Sequence, residues 1–295
     1  MAQNSLWARF NPTNLSRMYQ TELTQAEVRQ LEGSRLLHTT VGPIEYALRE
    51  GDEDRVVIIS HPSMGGYDQA LAIGRRFPGW RVIAPSRGAY LRTPRETGET
   101  PAHMADAFAA LLDALNIDQA VLGGYSAGGM AALEFALRHP RRCRGLILAG
   151  AISQPLNDFV MNILAPIALA NRSDFVNWVI TKAAYRALPL LESDPETLEI
   201  LRAFQQTNPL RLRYPGYVLD VSQIKTFRPE LAAVQCPTLI LHGDRDPLIP
   251  VSHAHRAMRL IPGAQSLIIQ GGNHDAPIRY PQQVLPVMRR FLDSL

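Results

Sequence analysis

The chain has 295 residues, of which 46% are hydrophobic, and its formal net charge is +3. This composition predicts a packed core and excludes a disordered chain, and the length suits one large domain with an inserted subdomain or two small domains. The net charge is small, and no stretch interleaves basic and aromatic residues as a nucleic-acid groove does, so nucleic acid is not an expected partner.

Two features bear on the compartment in which the protein works. Cys143 and Cys236 are the only cysteines, too few for a disulfide framework and without the spacing of a zinc site, so we expect both to be reduced and buried. The N-terminus lacks a basic segment followed by an apolar core, and the longest apolar run, residues 163–170, is too short to span a bilayer. We therefore expect a cytoplasmic protein with no signal peptide and no integral membrane segment.

The hydrophobic pattern predicts strands that alternate with helices over most of the chain. Residues 1–35 form a polar N-terminal extension, in which a capping box at Thr24 predicts a helix. A β-hairpin follows, and the later strands are apolar throughout rather than alternating. The predicted strands are 35–40, 44–48, 55–60, 81–84, 119–123, 145–149, 237–241 and 265–269, and the predicted helices among them are 68–76, 101–115, 127–139, 251–260 and 281–295. This pattern is typical of an α/β fold with a mostly parallel, doubly wound sheet that helices cover on both faces.

The alternation of strands and helices stops between residues 154 and 228. That stretch has no sheet-like run, and its pattern predicts short helices at 156–169, 173–187 and 195–206. We interpret it as a helical cap inserted into a core made of residues 36–153 and 229–295.

A serine lies at one of the predicted strand-to-helix junctions. Residues 124–128 have the sequence Gly-Tyr-Ser-Ala-Gly, between an apolar strand and a helix rich in small residues. A G-x-S-x-G sequence in that context predicts a tight turn that holds Ser126 in a strained conformation and projects its hydroxyl above the sheet. Glycine is needed two positions before and two after the serine, because side chains there would clash with neighbouring backbone.

A serine hydroxyl is a weak nucleophile and needs a base that an acid orients. His274 lies in the loop directly after the last strand, and Asp246 lies at the tip of the loop after the preceding strand. The order Ser126, Asp246, His274 is the order expected of a nucleophile, acid and base on this type of sheet. Asp244, closer to its strand, is expected to bind turn amides, and Asp275 is too close to His274 in sequence to reach its Nδ1 atom.

The other histidines considered lie in positions that suit a catalytic base less well than that of His274. His139 ends a helix, His242 ends a strand, and His253 and His255 open a helix, where we expect them at the surface rather than as metal ligands.

Acyl transfer also needs two N–H groups that receive the developing oxyanion. The backbone N–H of Ala127, at the start of the helix, is one expected donor. The second is expected from the loop that begins at His61, where Pro62 has no N–H, so Ser63 is the first candidate and Met64 the alternative.

Together these segments resemble the α/β-hydrolase-fold serine hydrolases, over roughly residues 36–295. Residues 61–66, His-Pro-Ser-Met-Gly-Gly, resemble the family's His-Gly oxyanion segment, with Pro62 in place of the glycine. Residues 84–90 resemble its Asp-Arg-Pro-Gly-Tyr stretch but lack the proline of that stretch before Ala89, and residues 242–246 resemble its acid loop. A serine nucleophile separates the chain from haloalkane dehalogenases and typical epoxide hydrolases, which use aspartate.

We therefore expect a carboxylic-ester hydrolase that acts on a small-molecule ester through an acyl-enzyme, with no metal and no organic cofactor. The same residues would also serve a lactone, thioester, amide or C–C bond hydrolase or an acyltransferase, and a non-catalytic receptor of the same fold is the alternative from another class. Met64, Tyr125 and Trp178 are expected to contact substrate. Other residues of the cap that could line an acyl pocket are Phe159, Ile163, Phe175 and Leu190. A homodimer is compatible with the sequence.

Overall fold

One eight-stranded sheet lies at the centre of the computed structural model, which describes residues 12–157, 173–191, 194–206 and 209–295. The strands are β1 (Arg35–Thr39), β2 (Gly42–Arg49), β3 (Asp52–Ser60), β4 (Trp80–Pro85), β5 (Ala120–Tyr125), β6 (Cys143–Ala149), β7 (Thr238–Gly243) and β8 (Gln265–Ile269). Their spatial order is β1-β2-β4-β3-β5-β6-β7-β8. The β1–β2 and β2–β4 pairs are antiparallel and the other pairs are parallel, so the predicted fold class is confirmed.

Helices flank this sheet at nearly all the positions that the sequence predicted. They are α1 (Pro12–Glu32), α2 (Tyr67–Ile73), α3 (Pro101–Ala114), α4 (Gly128–Arg138), α5 (Asp174–Leu191), α6 (Pro195–Gln205), α7 (Tyr214–Ile224), α8 (Ser252–Leu260), α9 (Ala276–Arg279) and α10 (Pro281–Asp293). No helix in the described part of the chain combines the length and the apolarity that crossing a bilayer requires.

Both faces of the central strands are buried, which explains their unbroken apolar sequences. Ile58 of β3 packs in one core with Phe108 of α3, whereas its neighbour Val57 packs in a second core with Phe291 of α10. Because successive side chains of a strand point to opposite faces, a strand between two helical layers needs apolar residues at every position. This sandwich fixes the carboxyl ends of the strands, where the predicted catalytic loops begin.

The described residues of the segment between β6 and β7 form helices and loops and no strand. The helices predicted at 173–187 and 195–206 correspond to α5 and α6, and the helix predicted at 156–169 lies largely outside the described residues, as do Phe159, Ile163 and the side chain of Leu190. Helix α7 was not predicted, because Pro215 and Gly216 in its first turn lower its apparent helix propensity. The limits of the cap remain a prediction.

The two cysteines are free and buried, with their Sγ atoms 3.4 Å apart. Cys143 begins β6 and Cys236 precedes β7, which pairs with β6, so the two thiols meet at the amino edge of the sheet, opposite the predicted catalytic loops.

One predicted surface histidine is instead buried. His255 is exposed, but His253 is only 2% exposed, and its Nδ1 atom accepts a hydrogen bond from the Ser153 N–H group at 3.1 Å. The prediction of a surface position was wrong for His253 because the chain leaving β6 packs over the start of α8. Burial lowers the pKa of His253 to about 4.

The buried histidine predicts a loss of stability in mild acid. As pH falls below about 6.5, His253 takes up a proton in the unfolded chain but stays neutral in the folded one until about pH 4, so the free energy of unfolding decreases over that range. Between pH 7.5 and pH 5 this residue should account for about 2 kcal/mol. Urea unfolding of wild type and His253→Asn at both pH values measures it, and equal pH dependence in the two proteins would contradict the assignment.

Candidate active site

Ser126 lies at the turn from β5 into α4 in a left-handed backbone conformation. Its φ angle is +53°, a region that residues other than glycine rarely adopt. The turn is held from both sides, because the Ser126 N–H donates to the Ala149 carbonyl at 3.0 Å while its carbonyl accepts from Gly129 and Ile152 at 3.0 and 3.1 Å. The backbone therefore holds the serine in a strained conformation, as the G-x-S-x-G sequence predicted.

The two glycines of the motif are required by close backbone approach. A Cβ atom on Gly128 would lie 2.1 Å from the Ser60 carbonyl oxygen, and one on Gly124 would lie 2.7 Å from the Gly129 Cα atom. Any side chain at either position would push α4 away from β3 and β5. The contact at Ser60 also brings the loop that starts at His61 against the first turn of α4, beside Ser126.

Asp246 and His274 form a short hydrogen bond between the loops after β7 and β8. The His274 Nδ1 atom lies 2.7 Å from Asp246 Oδ2, and the other carboxylate oxygen accepts the N–H groups of Leu248 and Ile249 at 2.8 and 2.9 Å. Asp246 is 7% exposed, so its negative charge is compensated by these donors rather than by water. Since the carboxylate accepts a hydrogen bond from the Nδ1–H group, the Nε2 atom of His274 is the one available as a base.

The loops that carry these two residues are tied together by backbone contacts. The Arg245 N–H donates to the Gly272 carbonyl at 2.8 Å, and the Asp244 N–H donates to Ile269 at 3.1 Å. These contacts fix the distance between Asp246 and His274 independently of the side chains.

The other two acidic residues of these loops have different surroundings. Asp275 accepts a hydrogen bond from Arg279 Nε at 2.5 Å, away from the His274 ring nitrogens. The expectation that Asp244 binds turn amides was wrong, since Asp246 accepts them. The Oδ1 atom of Asp244 is buried without a hydrogen-bond partner in the described residues.

His242 lies on the other side of the Asp246 carboxylate. Its Nε2 atom is 2.9 Å from the Ile249 carbonyl, to which it donates, and 3.4 Å from Asp246 Oδ2. Burial lowers the pKa of His242, so this ring is neutral at pH 7 and adds no positive charge beside Asp246.

Tyr125, predicted to contact substrate, contacts His274 through both its hydroxyl and its ring. Its hydroxyl donates to the His274 carbonyl at 2.9 Å, its ring centroid lies 5.4 Å from the imidazole, and its ring also packs against Phe204 of α6, with centroids 5.7 Å apart and planes at 87°. Tyr125 is 5% exposed, and burial raises its pKa well above the ordinary value. Since Tyr125 directly precedes Ser126, these contacts bring the His274 loop next to the serine. Within the described residues, no hydrogen bond joins Ser126 Oγ to His274, a contact that often tightens only with substrate bound.

The two N–H groups proposed as oxyanion donors in the loop after β3 differ in their hydrogen bonds. The Met64 N–H donates to the Tyr90 hydroxyl at 3.2 Å, and Met64 has a left-handed φ of +59°. In the described part of the chain, the N–H groups of Ser63 and Ala127 donate to no protein acceptor. Ser63 therefore fits the second donor better than Met64, whose side chain is half-buried in the same loop.

Trp178, the third predicted substrate contact, packs against the N-terminal helix. Its Nε1 atom donates to Glu22 Oε2 at 2.8 Å, and its ring lies 5.6 Å from Tyr19 and 5.9 Å from Phe175. These partners belong to α1 and to Trp178's own helix, so Trp178 docks the two helices together, and nothing in its described contacts joins it to the serine.

A comparison with protein families agrees with this geometry. The family model described as alpha/beta hydrolase fold matches residues 56–279, which include every loop described above. The chain belongs to the alpha/beta hydrolase family. The match covers most of the chain and leaves out α1, the hairpin strands and all of α10.

Curated relatives and solved structures agree with this assignment. This hydrolase is 27% identical over 255 residues to the uncharacterized hydrolase YcgS of Bacillus subtilis, covering 79% of this chain and 88% of the relative. It is 28% identical over 232 residues to the pimeloyl-[acyl-carrier protein] methyl ester esterase of Edwardsiella ictaluri, covering 73% and 88%. An alpha/beta hydrolase fold protein from Nakamurella multipartita matches with a TM-score of 0.71 at 24% identity, covering 88% and 98%. The family and these relatives support a hydrolytic function.

A group of buried charged residues beside the candidate active site of this hydrolase was not predicted. Asp220 of α7 is 1% exposed and forms a bidentate ion pair with Arg87, at 2.5 and 2.7 Å. Arg87 and Tyr90 lie in the stretch that resembles the family's Asp-Arg-Pro-Gly-Tyr segment, which was the available signal for one side of the pair. Asp220 lies in a helix without a motif and gave no signal.

Proposed function

We propose that this hydrolase cleaves carboxylic esters through an acyl-enzyme formed on Ser126, with His274 as the base and Asp246 as its orienting acid. The observation that carries the proposal is the 2.7 Å contact between His274 Nδ1 and Asp246 Oδ2, on loops that pack beside a serine held at positive φ. A nucleophile, a base and an acid in this order are sufficient for acyl transfer without a metal or an organic cofactor.

In the first half of the reaction, Ser126 Oγ attacks the acyl carbon while His274 Nε2 takes its proton. The imidazolium that forms is stabilised by the Asp246 carboxylate, which keeps its negative charge. The tetrahedral intermediate then collapses, the C–O bond to the alcohol breaks, and His274 gives the proton to the departing oxygen. In the second half, water attacks the acyl-enzyme by the same proton transfers and releases the acid and Ser126.

The oxyanion of each tetrahedral intermediate would accept hydrogen bonds from the backbone N–H groups of Ala127 and Ser63. Both groups lack an acceptor in the described residues, and the Ala127 N–H also lies at the positive end of α4. Loss of one such donor typically lowers the rate of acyl transfer about 10²- to 10³-fold.

An ester is the proposed substrate rather than an amide or a C–C bond. A relative that is 28% identical over most of its length is a methyl ester esterase, and an alcohol leaves a tetrahedral intermediate more readily than an amine or a carbanion does. The helical segment 154–228 is proposed as a cap that covers the acyl group.

A fluorophosphonate probe tests the nucleophile and a substrate panel tests the bond type. We expect stoichiometric labelling of Ser126, located by mass spectrometry of the labelled peptide, and faster turnover of 4-nitrophenyl acetate and butyrate than of the matched anilides. Labelling without ester turnover would contradict the ester assignment, and absence of labelling would contradict the serine mechanism.

A further inference from the structure

A buried carboxylate from the helical segment contacts the loop that carries the proposed oxyanion donor. Asp220 Oδ2 accepts hydrogen bonds from the Ser63 hydroxyl at 2.7 Å and from the Tyr90 hydroxyl at 2.6 Å, in addition to its ion pair with Arg87. Arg87 compensates the charge of the carboxylate, and the two hydroxyl groups satisfy its remaining lone pairs. They connect α7, which lies between β6 and β7, to the loop after β3.

These contacts hold two consecutive residues of that loop. Ser63 binds Asp220 directly, and the Met64 N–H binds it through the Tyr90 hydroxyl, which accepts from Met64 and donates to Asp220. Arg87 adds a third point, because its Nε atom donates to the His61 carbonyl at 3.0 Å. A loop in which Met64 has a φ of +59° needs such outside contacts, since the left-handed conformation is unfavourable for methionine.

This arrangement requires a protonated Tyr90 hydroxyl and a charged Arg87 guanidinium, and the surroundings of both groups favour these states. Burial and the neighbouring Asp220 raise the pKa of Tyr90 well above its ordinary value, so its hydroxyl remains a donor. Burial alone would lower the pKa of Arg87, but the Asp220 carboxylate outweighs burial and raises it, so the guanidinium stays charged.

We propose that Asp220 is a positioning residue for the oxyanion hole. Asp220 orients the Ser63–Met64 peptide through the Ser63 and Tyr90 hydroxyls, so that this orientation depends on the position of α7. The inference rests on the proposed function, because it concerns the donor to an acyl-transfer intermediate. A displacement of about 1 Å in a catalytic group is enough to lower a rate by up to 10²-fold, so small shifts of this loop matter. Access of substrate under the helical segment and formation of the oxyanion hole are thereby coupled.

Three substitutions remove parts of this connection without removing a backbone N–H. Ser63→Ala and Tyr90→Phe each remove one hydroxyl and leave the Arg87–Asp220 pair, and Asp220→Asn weakens all contacts together. We expect kcat for 4-nitrophenyl butyrate to fall about 10-fold in each hydroxyl variant and about 10²-fold in Asp220→Asn, with KM within about twofold of wild type. The double variant Ser63→Ala/Asp220→Asn should be no slower than Asp220→Asn, because both remove the same link.

The matched control is Glu196→Gln, since Glu196 of α6 pairs with buried Arg76 at 2.5 Å and joins the same helical segment to the core away from the loop. It should lower the melting temperature and leave kcat unchanged. Rates are divided by active-site concentration from fluorophosphonate titration, and inhibition by a trifluoromethyl ketone, which forms a tetrahedral adduct on serine, is measured in parallel. We expect the affinity for the ketone to weaken in proportion to kcat/KM.

The outcomes separate this inference from the proposed function. Wild type that neither labels nor hydrolyses esters would overturn the proposed function. Active wild type with unchanged kcat and ketone affinity in both Ser63→Ala and Tyr90→Phe would overturn the inference alone, and these two variants decide it if Asp220→Asn does not fold.

Discussion

Ser126→Ala should abolish hydrolysis of 4-nitrophenyl butyrate, with a decrease in kcat on the order of 10⁶-fold. Without Oγ no acyl-enzyme forms, and only direct attack by water at the oxyanion hole remains. The fold should be unchanged, because the turn is held by backbone hydrogen bonds with Ala149, Gly129 and Ile152 that do not involve the side chain. The measurement is kcat on a purified sample, with circular dichroism to verify folding, and more than a few per cent of wild-type activity would contradict the nucleophile assignment.

Two further variants control this experiment. Ser126→Gly should be equally inactive but more stable than Ser126→Ala by about 1 kcal/mol, because glycine adopts the φ of +53° without the penalty that a Cβ atom brings. Ser266→Ala, at an exposed serine of the edge strand β8, should retain full activity. Equal stability of the glycine and alanine variants would argue against a strained turn at Ser126.

His274→Ala tests whether the base acts together with the serine. We expect it to be nearly as inactive as Ser126→Ala, and the double variant to be little worse than either, because groups that act as one unit lose function non-additively. Losses that multiply would indicate that the two residues do not share one step.

The sequence was most informative where function demands a local pattern. One tight turn requires the apolar strand before Ser126, the small residues after it and the two flanking glycines. The sequence pattern is therefore enough to predict the backbone geometry of the turn. Asp246 could be chosen over Asp244 from its place at the tip of the loop, and its 2.7 Å contact with His274 agrees with that choice.

The sequence was least informative where distant segments meet. Asp220 is 157 residues from Ser63, and an aspartate in a short helix is normally interpreted as a surface residue. Trp178 illustrates the same limit, because helical periodicity identifies a buried face but does not say whether that face meets the active site or α1. His253 was misplaced because the Ser153 N–H group, which donates to its Nδ1 atom, lies 100 residues earlier in the chain.

Asp246→Asn should lower kcat on the order of 10⁴-fold, by fixing His274 in the wrong tautomer. Oδ1 of Asp246 accepts the N–H groups of Leu248 and Ile249, so an asparagine keeps its oxygen there and turns its NH₂ group towards His274 Nδ1. An N–H donor at that place favours an unprotonated Nδ1, and the proton then resides on Nε2, which can no longer accept the Ser126 proton. Folding should be preserved, because both turn contacts remain.

Asp244→Asn is the matched control, since it makes the same isosteric change two residues earlier in the loop. The Asp244 Oδ1 atom is buried without a hydrogen-bond partner among the described residues, so removal of its charge should alter stability and leave kcat within about twofold. The measurement is kcat and melting temperature for both variants, with active sites titrated. A large loss of kcat in Asp244→Asn together with an active Asp246→Asn would move the acid of the triad to Asp244, whereas equal and large losses in both would indicate that the loop, rather than one carboxylate, controls the position of His274.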